Sequence, residues 1–233
     1  MRIKGFQGTS LLDFPGRLAA LVFSGGCNLT CPYCHNPGLV LDPGQYPDYP
    51  IEDLLADLRR RSGFIDGVVV SGGEPTLDPG LESFLLQLKE LGLQIKLDTN
   101  GLLPEVLRRL LEQRLVDYLA IDLKTSPKRY SELHSCYVDS APLLETIDLT
   151  RSANCDYEFR TTCVPQLIEA DDIRALGMAI KGARLWVLQQ FVPQHSLDAR
   201  LHESDPHPPQ TVHDFSRLAA DYVTDVKLRG IAE

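Results

Sequence analysis

Six short apolar-rich runs recur along this 233-residue chain, and segments with helical periodicity alternate with them. The runs are Ala19–Ser24, Gly67–Ser71, Gln94–Asp98, Tyr118–Leu123, Tyr157–Cys163 and Leu185–Phe191, with a shorter candidate strand at Asp225–Arg229. Several are nearly continuous, as in Val68-Val69-Val70, which is the pattern of parallel strands covered by helices. Ile51, Leu54, Leu55 and Leu58 fall at helical spacing, as do Leu81, Phe84, Leu85, Leu88 and Leu91. Val106, Leu107, Leu110 and Leu111 repeat the stripe, and so do Val212, Phe215, Leu218, Ala219 and Tyr222. Each such stripe is a core-facing helix side. Asp78-Pro79 reads as the cap and first-turn proline of the second helix, and Thr211 as the cap of the last. Strand–helix units in succession make a parallel α/β sheet. Right-handed crossovers then curl it into a doubly wound sheet or a barrel, and periodicity does not choose between them. In both, chemistry belongs at the C-terminal ends of the strands.

The unusual residues sit at those ends. After Ser24 comes Gly25-Gly26-Cys27-Asn28-Leu29-Thr30-Cys31-Pro32-Tyr33-Cys34-His35-Asn36-Pro37, a C-x3-C-x2-C spacing on a short loop. The chain has six cysteines, and Cys136, Cys155 and Cys163 lie outside the cluster with no such spacing. Clustered thiols in a reducing compartment bind metal or do redox work. A structural zinc site is closed by four ligands, and most cubane clusters also take four cysteines. Three thiolates leave one iron of a cubane free for a small molecule. His35 as a fourth ligand would instead make a Cys3His zinc site, the basis of a non-catalytic scaffold.

The other strand ends carry their own motifs. Ser71-Gly72-Gly73-Glu74-Pro75 puts a glycine pair and a carboxylate after the second strand, where backbone can approach a ligand closely. The third strand ends in Asp98-Thr99-Asn100-Gly101, and Asn-Gly alone is a turn. On the fourth, Asp122 and Lys124 share one face by the two-residue period. On the fifth, Glu158, Arg160 and Thr162 share a face, and Arg160 suits a carboxylate or an ion pair with Glu158 or Asp122. Gln189 and Gln190 on the sixth point to opposite faces, so one faces the site. Charges alternating with apolar residues in a buried strand must face water, a cavity or one another.

The cysteine spacing at the end of the first strand, with Tyr33 before its last cysteine, resembles the radical S-adenosylmethionine superfamily. Asp13-Phe14-Pro15-Gly16 and Cys34-His35-Asn36-Pro37 are similar to strings of the activating enzymes of glycyl-radical enzymes, the anaerobic ribonucleotide reductase activating type above all. The resemblance implies a partial (β/α)6 TIM-type barrel. It implies a [4Fe–4S] cluster on Cys27, Cys31 and Cys34, with S-adenosylmethionine on the free iron. It implies reductive cleavage to a 5′-deoxyadenosyl radical, which abstracts hydrogen from a glycine of the partner enzyme. Tyr33, Gly72, Gly73, Glu74, Asp98, Asn100, Asp122, Lys124 and Arg160 carry over as cofactor-site residues, with Glu74 at the methionine amine. Reduced flavodoxin or ferredoxin is the implied electron donor. The rival within radical chemistry is a small-molecule enzyme of the 7-carboxy-7-deazaguanine synthase type, for which no added carboxylate or hydroxyl pattern speaks.

Composition bounds the partners. With 23 Lys+Arg against 32 Asp+Glu the net charge is −9, which argues against a nucleic-acid face. The longest purely apolar run, Leu18 to Phe23, is too short to cross a membrane, and the N-terminus lacks a signal-peptide plan. The expectation is a cytoplasmic single domain over 1–233, with an extension at 1–17, a core at 18–193 and a lid, helix and short strand at 194–233.

Overall fold

A computed structural model describes residues 1–231. Its strands are β1 (Ile3–Ser10), β2 (Ala19–Ser24), β3 (Gly67–Gly72), β4 (Gln94–Thr99), β5 (Tyr118–Asp122), β6 (Asp156–Cys163), β7 (Leu185–Gln190) and β8 (Asp225–Arg229). The helices are α1 (Pro37–Leu41), α2 (Ile51–Arg61), α3 (Leu81–Glu90), α4 (Pro104–Glu112), α5 (Ala141–Ser152), α6 (Ala170–Ala179) and α7 (Pro209–Ala219). One sheet contains all eight strands in chain order. β2 through β8 run parallel, and β1 pairs antiparallel with β2. The sheet does not close, since β1 and β8 are its two ends. This is the open, barrel-type alternative of the two that periodicity left standing.

The two faces of the sheet have different jobs. The outer face and the helices enclose the main core, which includes Val68, Val70, Ile95, Leu97, Leu119, Ile121, Phe159, Trp186 and Leu188. A small second core lies on the concave face, where Phe14, Ala19, Leu21, Val69 and Tyr118 meet. Phe14 is 2% exposed and packs edge-on against Tyr118 with ring centroids 5.8 Å apart. The Asp13–Gly16 string thus folds back to plug the lower concavity. Phe14→Ala is expected to destabilise the protein by about 3–5 kcal/mol, the range for emptying a buried aromatic site. Urea unfolding checks it, and a loss under about 1 kcal/mol would show that the plug carries no load.

Three local expectations are corrected. Strand β1 lies in the segment read as an extension; it is an edge strand with irregular register and glycines at 5 and 8, so its alternation is weak. The cap of α3 is Gly80, not Asp78; Asp78 instead accepts from Gly80 N–H at 2.8 Å and from Arg2 N–H at 2.7 Å. α7 starts at Pro209 after Pro208, which puts Thr211 inside its first turn. Among the described residues no helix is long and apolar enough to cross a membrane.

Candidate active site

The cysteine loop hangs from the C-terminal end of β2 and is braced against β3. Gly73 N–H donates to Ser24 O at 2.9 Å, and Glu74 N–H donates to Gly26 O at 2.8 Å. A Cβ on Gly72 would collide with the Ser24 backbone, and one on Gly73 with the Gly26 carbonyl. The glycine pair therefore lets β3 seat the start of the cysteine loop. Cys27, Cys31 and Cys34 are free thiols lining one cavity of ≈350 Å³. Burial pushes the Cys31 thiol up to about 12 against the opposing pull of Lys124, and burial likewise raises Cys27.

Glu74, 2% exposed, ties three segments together. Its Oε1 accepts from Thr76 N–H at 3.1 Å, from the Thr76 hydroxyl and from the Thr99 hydroxyl at 2.7 Å. Its Oε2 accepts from Asn100 N–H at 2.7 Å. Burial raises its pKa, and these hydrogen bonds oppose the rise. One lone pair on Oε2 remains for a further donor, since a carboxylate offers about four.

Across the concave face runs a row of alternating charge. Lys96, 1% exposed, pairs with Asp98 Oδ1. Arg160 Nη1 donates to Asp98 Oδ2 at 3.1 Å, and its Nε donates to Asp122 Oδ1 at 2.8 Å. Lys124 Nζ donates to Asp122 Oδ2 at 3.3 Å. The two-residue period of β4, β5 and β6 puts Lys96, Asp98, Asp122 and Arg160 on one face, Lys124 follows two residues past the end of β5, and the register sets Asp122 beside Arg160. Burial, the largest single effect, pushes Asp122 and Asp98 up. Arg160 with Lys124, and Arg160 with Lys96, outweigh it and hold the two carboxyls below the usual range. For Lys124 and Arg160, burial lowers the pKa, but the facing carboxylates win and hold both well above their ordinary values.

Arg160 thus bonds Asp122 rather than Glu158, which is 3.9 Å away. Lys96 escaped the sequence analysis, although the alternation that exposed Asp122 and Lys124 also applies to Lys96 and Asp98. Asp13 lines the same cavity, as do Asp98, Asn100, Asp122, Lys124, Arg160, Gly72 and Gly73. Tyr33 lines it too, and its hydroxyl donates to Lys124 O at 3.2 Å. Gln189 faces this cavity, whereas Gln190 reaches outward to His207 O at 2.9 Å. His35 is exposed; its Nε2 meets Val192 O at 2.8 Å and its ring stacks on Phe191.

The donor set separates a single ion from a cluster. Among the described residues, no three Cys, His, Asp or Glu side chains converge as one metal ion needs. A cubane presents a separate iron to each cysteine, so three thiols spread around one cavity fit it better than they fit zinc. Beside them the cavity offers paired carboxylates and cations, and its volume lies in the range of small-molecule sites.

The sequence model of the radical SAM superfamily matches residues 21–176. A Methanocaldococcus jannaschii protein, provisionally named a glycyl-radical enzyme activating enzyme, is 32% identical over 234 residues, covering 98% of this chain and 96% of that one. The 7-carboxy-7-deazaguanine synthase of Hyperthermus butylicus is 35% identical over 132 residues, covering 55% of this chain and 54% of that one. Among solved structures, Streptococcus suis SuiB superposes with a TM-score of 0.65 at 17% identity, over 89% of this chain. The chain spans about half of SuiB, 47% of its length, and the likeness is one of fold.

Proposed function

This chain belongs to the radical SAM superfamily, with one [4Fe–4S] cluster and S-adenosylmethionine as cofactors, and we propose that it installs a glycyl radical on a partner enzyme. When bound, the cluster and S-adenosylmethionine would supply the one-electron radical chemistry that removes a hydrogen atom from a glycine of the partner. Cys27, Cys31 and Cys34 hold the cluster. The observation that carries the reading is that one cavity joins these three thiols to the row Asp98, Arg160, Asp122 and Lys124. A zwitterionic methionyl group needs both signs of charge at close range, and that row offers them. The spare lone pair of Glu74 takes an ammonium hydrogen. Asp98 and Asp122 accept from donors on the cofactor, and Lys124 and Arg160 donate to its carboxylate or hydroxyls. Tyr33, held to the Lys124 carbonyl, walls the cavity and excludes water.

A protein substrate is favoured over a small molecule by coverage. The activating-enzyme relative aligns with nearly the whole chain, and the deazaguanine synthase with about half. The partner assigned here is an anaerobic ribonucleotide reductase, the electron donor a reduced flavodoxin or ferredoxin, and the compartment the cytoplasm. The test is anaerobic incubation of the reconstituted protein with reductant, S-adenosylmethionine and candidate glycyl-radical enzymes, read by spin resonance. The expected result is a glycine-centred radical on the reductase. Cofactor cleavage with no radical on any glycyl-radical enzyme would overturn the activase reading, and a radical on a different one would reassign the partner.

A further inference from the structure

Asn100 is 3% exposed, and its backbone N–H and both ends of its side-chain amide are engaged inside the protein. Its backbone N–H donates to Glu74 Oε2 at 2.7 Å, and its Oδ1 accepts from Leu102 N–H at 3.0 Å. Its Nδ2 donates to Asn28 Oδ1 at 2.7 Å and lies 3.9 Å from Cys27 Sγ. A side-chain amide nitrogen carries two hydrogens, so the one that Asn28 does not take is free for the sulfur. Leu29 N–H is a second donor to the same sulfur, at 3.4 Å. Among the described residues, the sulfurs of Cys31 and Cys34 accept no comparable bond. The Asn28–Asn100 bond also joins the cysteine loop to the turn after β4. That leaves the side chain of Asn100 little capacity to hold S-adenosylmethionine directly.

We propose that Asn100 is a positioning residue that acts through Cys27, donating its amide hydrogen to the ligand sulfur and so raising the reduction potential of the cluster bound there. This rests on the reading that Cys27, Cys31 and Cys34 hold the cluster. An N–H bond to a thiolate withdraws electron density and favours the more negative, reduced cluster; hydrogen bonds to the sulfurs are among the main settings of such potentials. Asn28 keeps the amide from turning away, so the donor is in place before the electron arrives.

The test is graded reduction of anaerobically reconstituted protein with titanium(III) citrate, the reduced cluster being read by spin resonance without S-adenosylmethionine. At the native midpoint, Asn100→Ala is expected to lower the reduced-to-oxidised ratio about tenfold, which for one electron is about 59 mV. Asn28→Ala, which keeps the donor but removes the anchor and an Oδ1 that lies 3.9 Å from Cys27 Sγ, is expected to lower it less than about threefold. A native midpoint in Asn100→Ala overturns the proposal. So does an equal shift in both variants, because loop anchoring alone would then explain it. Should Asn100→Ala fail to retain iron, Asn100→Asp keeps the oxygen that Leu102 uses and lacks the donor; an unchanged midpoint in it is equally decisive against the proposal. The iron and sulfide content of the native protein tests the cofactor reading separately.

Discussion

Cys31→Ala is expected to abolish reductive cleavage of S-adenosylmethionine while the protein stays folded. Cys31 is 5% exposed within the main core, so removing its sulfur costs the fold about 1 kcal/mol, an ordinary core truncation. The cost to chemistry is of another order. Three thiols are all that this loop offers, and the neighbouring His35 is turned toward Val192 O, so nothing stands ready to replace a lost ligand. Iron content after reconstitution and the yield of methionine with 5′-deoxyadenosine, separated by chromatography, give the two readouts. Cys136→Ala is the control: Cys136 is exposed, lies outside the cavity, and its loss is expected to leave both readouts unchanged. Full cleavage by Cys31→Ala would end the account of the loop as a cluster site.

How much of this was legible in the sequence follows from how each element satisfies its surroundings. β2, β3 and β5 are buried on both sides over most of their length and read as near-continuous apolar runs, whereas β4 and β6 alternate apolar residues with the charges that face the concave side. Helices α2, α3, α4 and α7 show as stripes. Helix α5 does not, because its buried side uses Thr146 and Thr150 beside Leu143 and Ile147, and Thr146 hydrogen-bonds Gly101 O at 2.7 Å. Helix α6 buries Asp172 and Gly177, with Asp172 accepting from Ser126 and Arg129. Thr146 and Asp172, each with a partner elsewhere in the chain, break the apolar period without breaking either helix. The site shows the same divide. The cysteines are local in sequence and were visible. The links from Glu74 to Thr99 and Asn100, and from Asn28 to Asn100, join strand ends 25 to 72 residues apart, and only the curled sheet makes them neighbours.

Arg160→Met is expected to cost the protein stability in a way that depends on pH. The guanidinium lies between Asp98 and Asp122, and methionine fills similar space with no charge. Each carboxylate keeps one cation, Lys96 for Asp98 and Lys124 for Asp122. The expected loss is therefore about 3 kcal/mol, the low end for breaking a buried pair, since Asp122 also keeps part of its surface in water. Asp98 and Asp122 have folded pKa values held below their unfolded values, near 3.9. Their contribution is thus complete above that pH and is lost as pH falls through the depressed folded values. Without Arg160 the depression shrinks, so as pH falls below the unfolded values the variant loses less stability than the native protein does. The stability gap between the two, measured by urea unfolding, should be widest near pH 6 and should narrow below about pH 4. Adding Asp122→Asn to Arg160→Met should recover part of the loss, because a buried carboxylate that has lost its stronger cation partner is the cost. A gap that stays constant from pH 7 to pH 3, with no recovery in the double variant, would mean that Arg160 supports the barrel by packing alone. The row of charges would then be a consequence of the fold, not a device that holds both signs ready on its concave face.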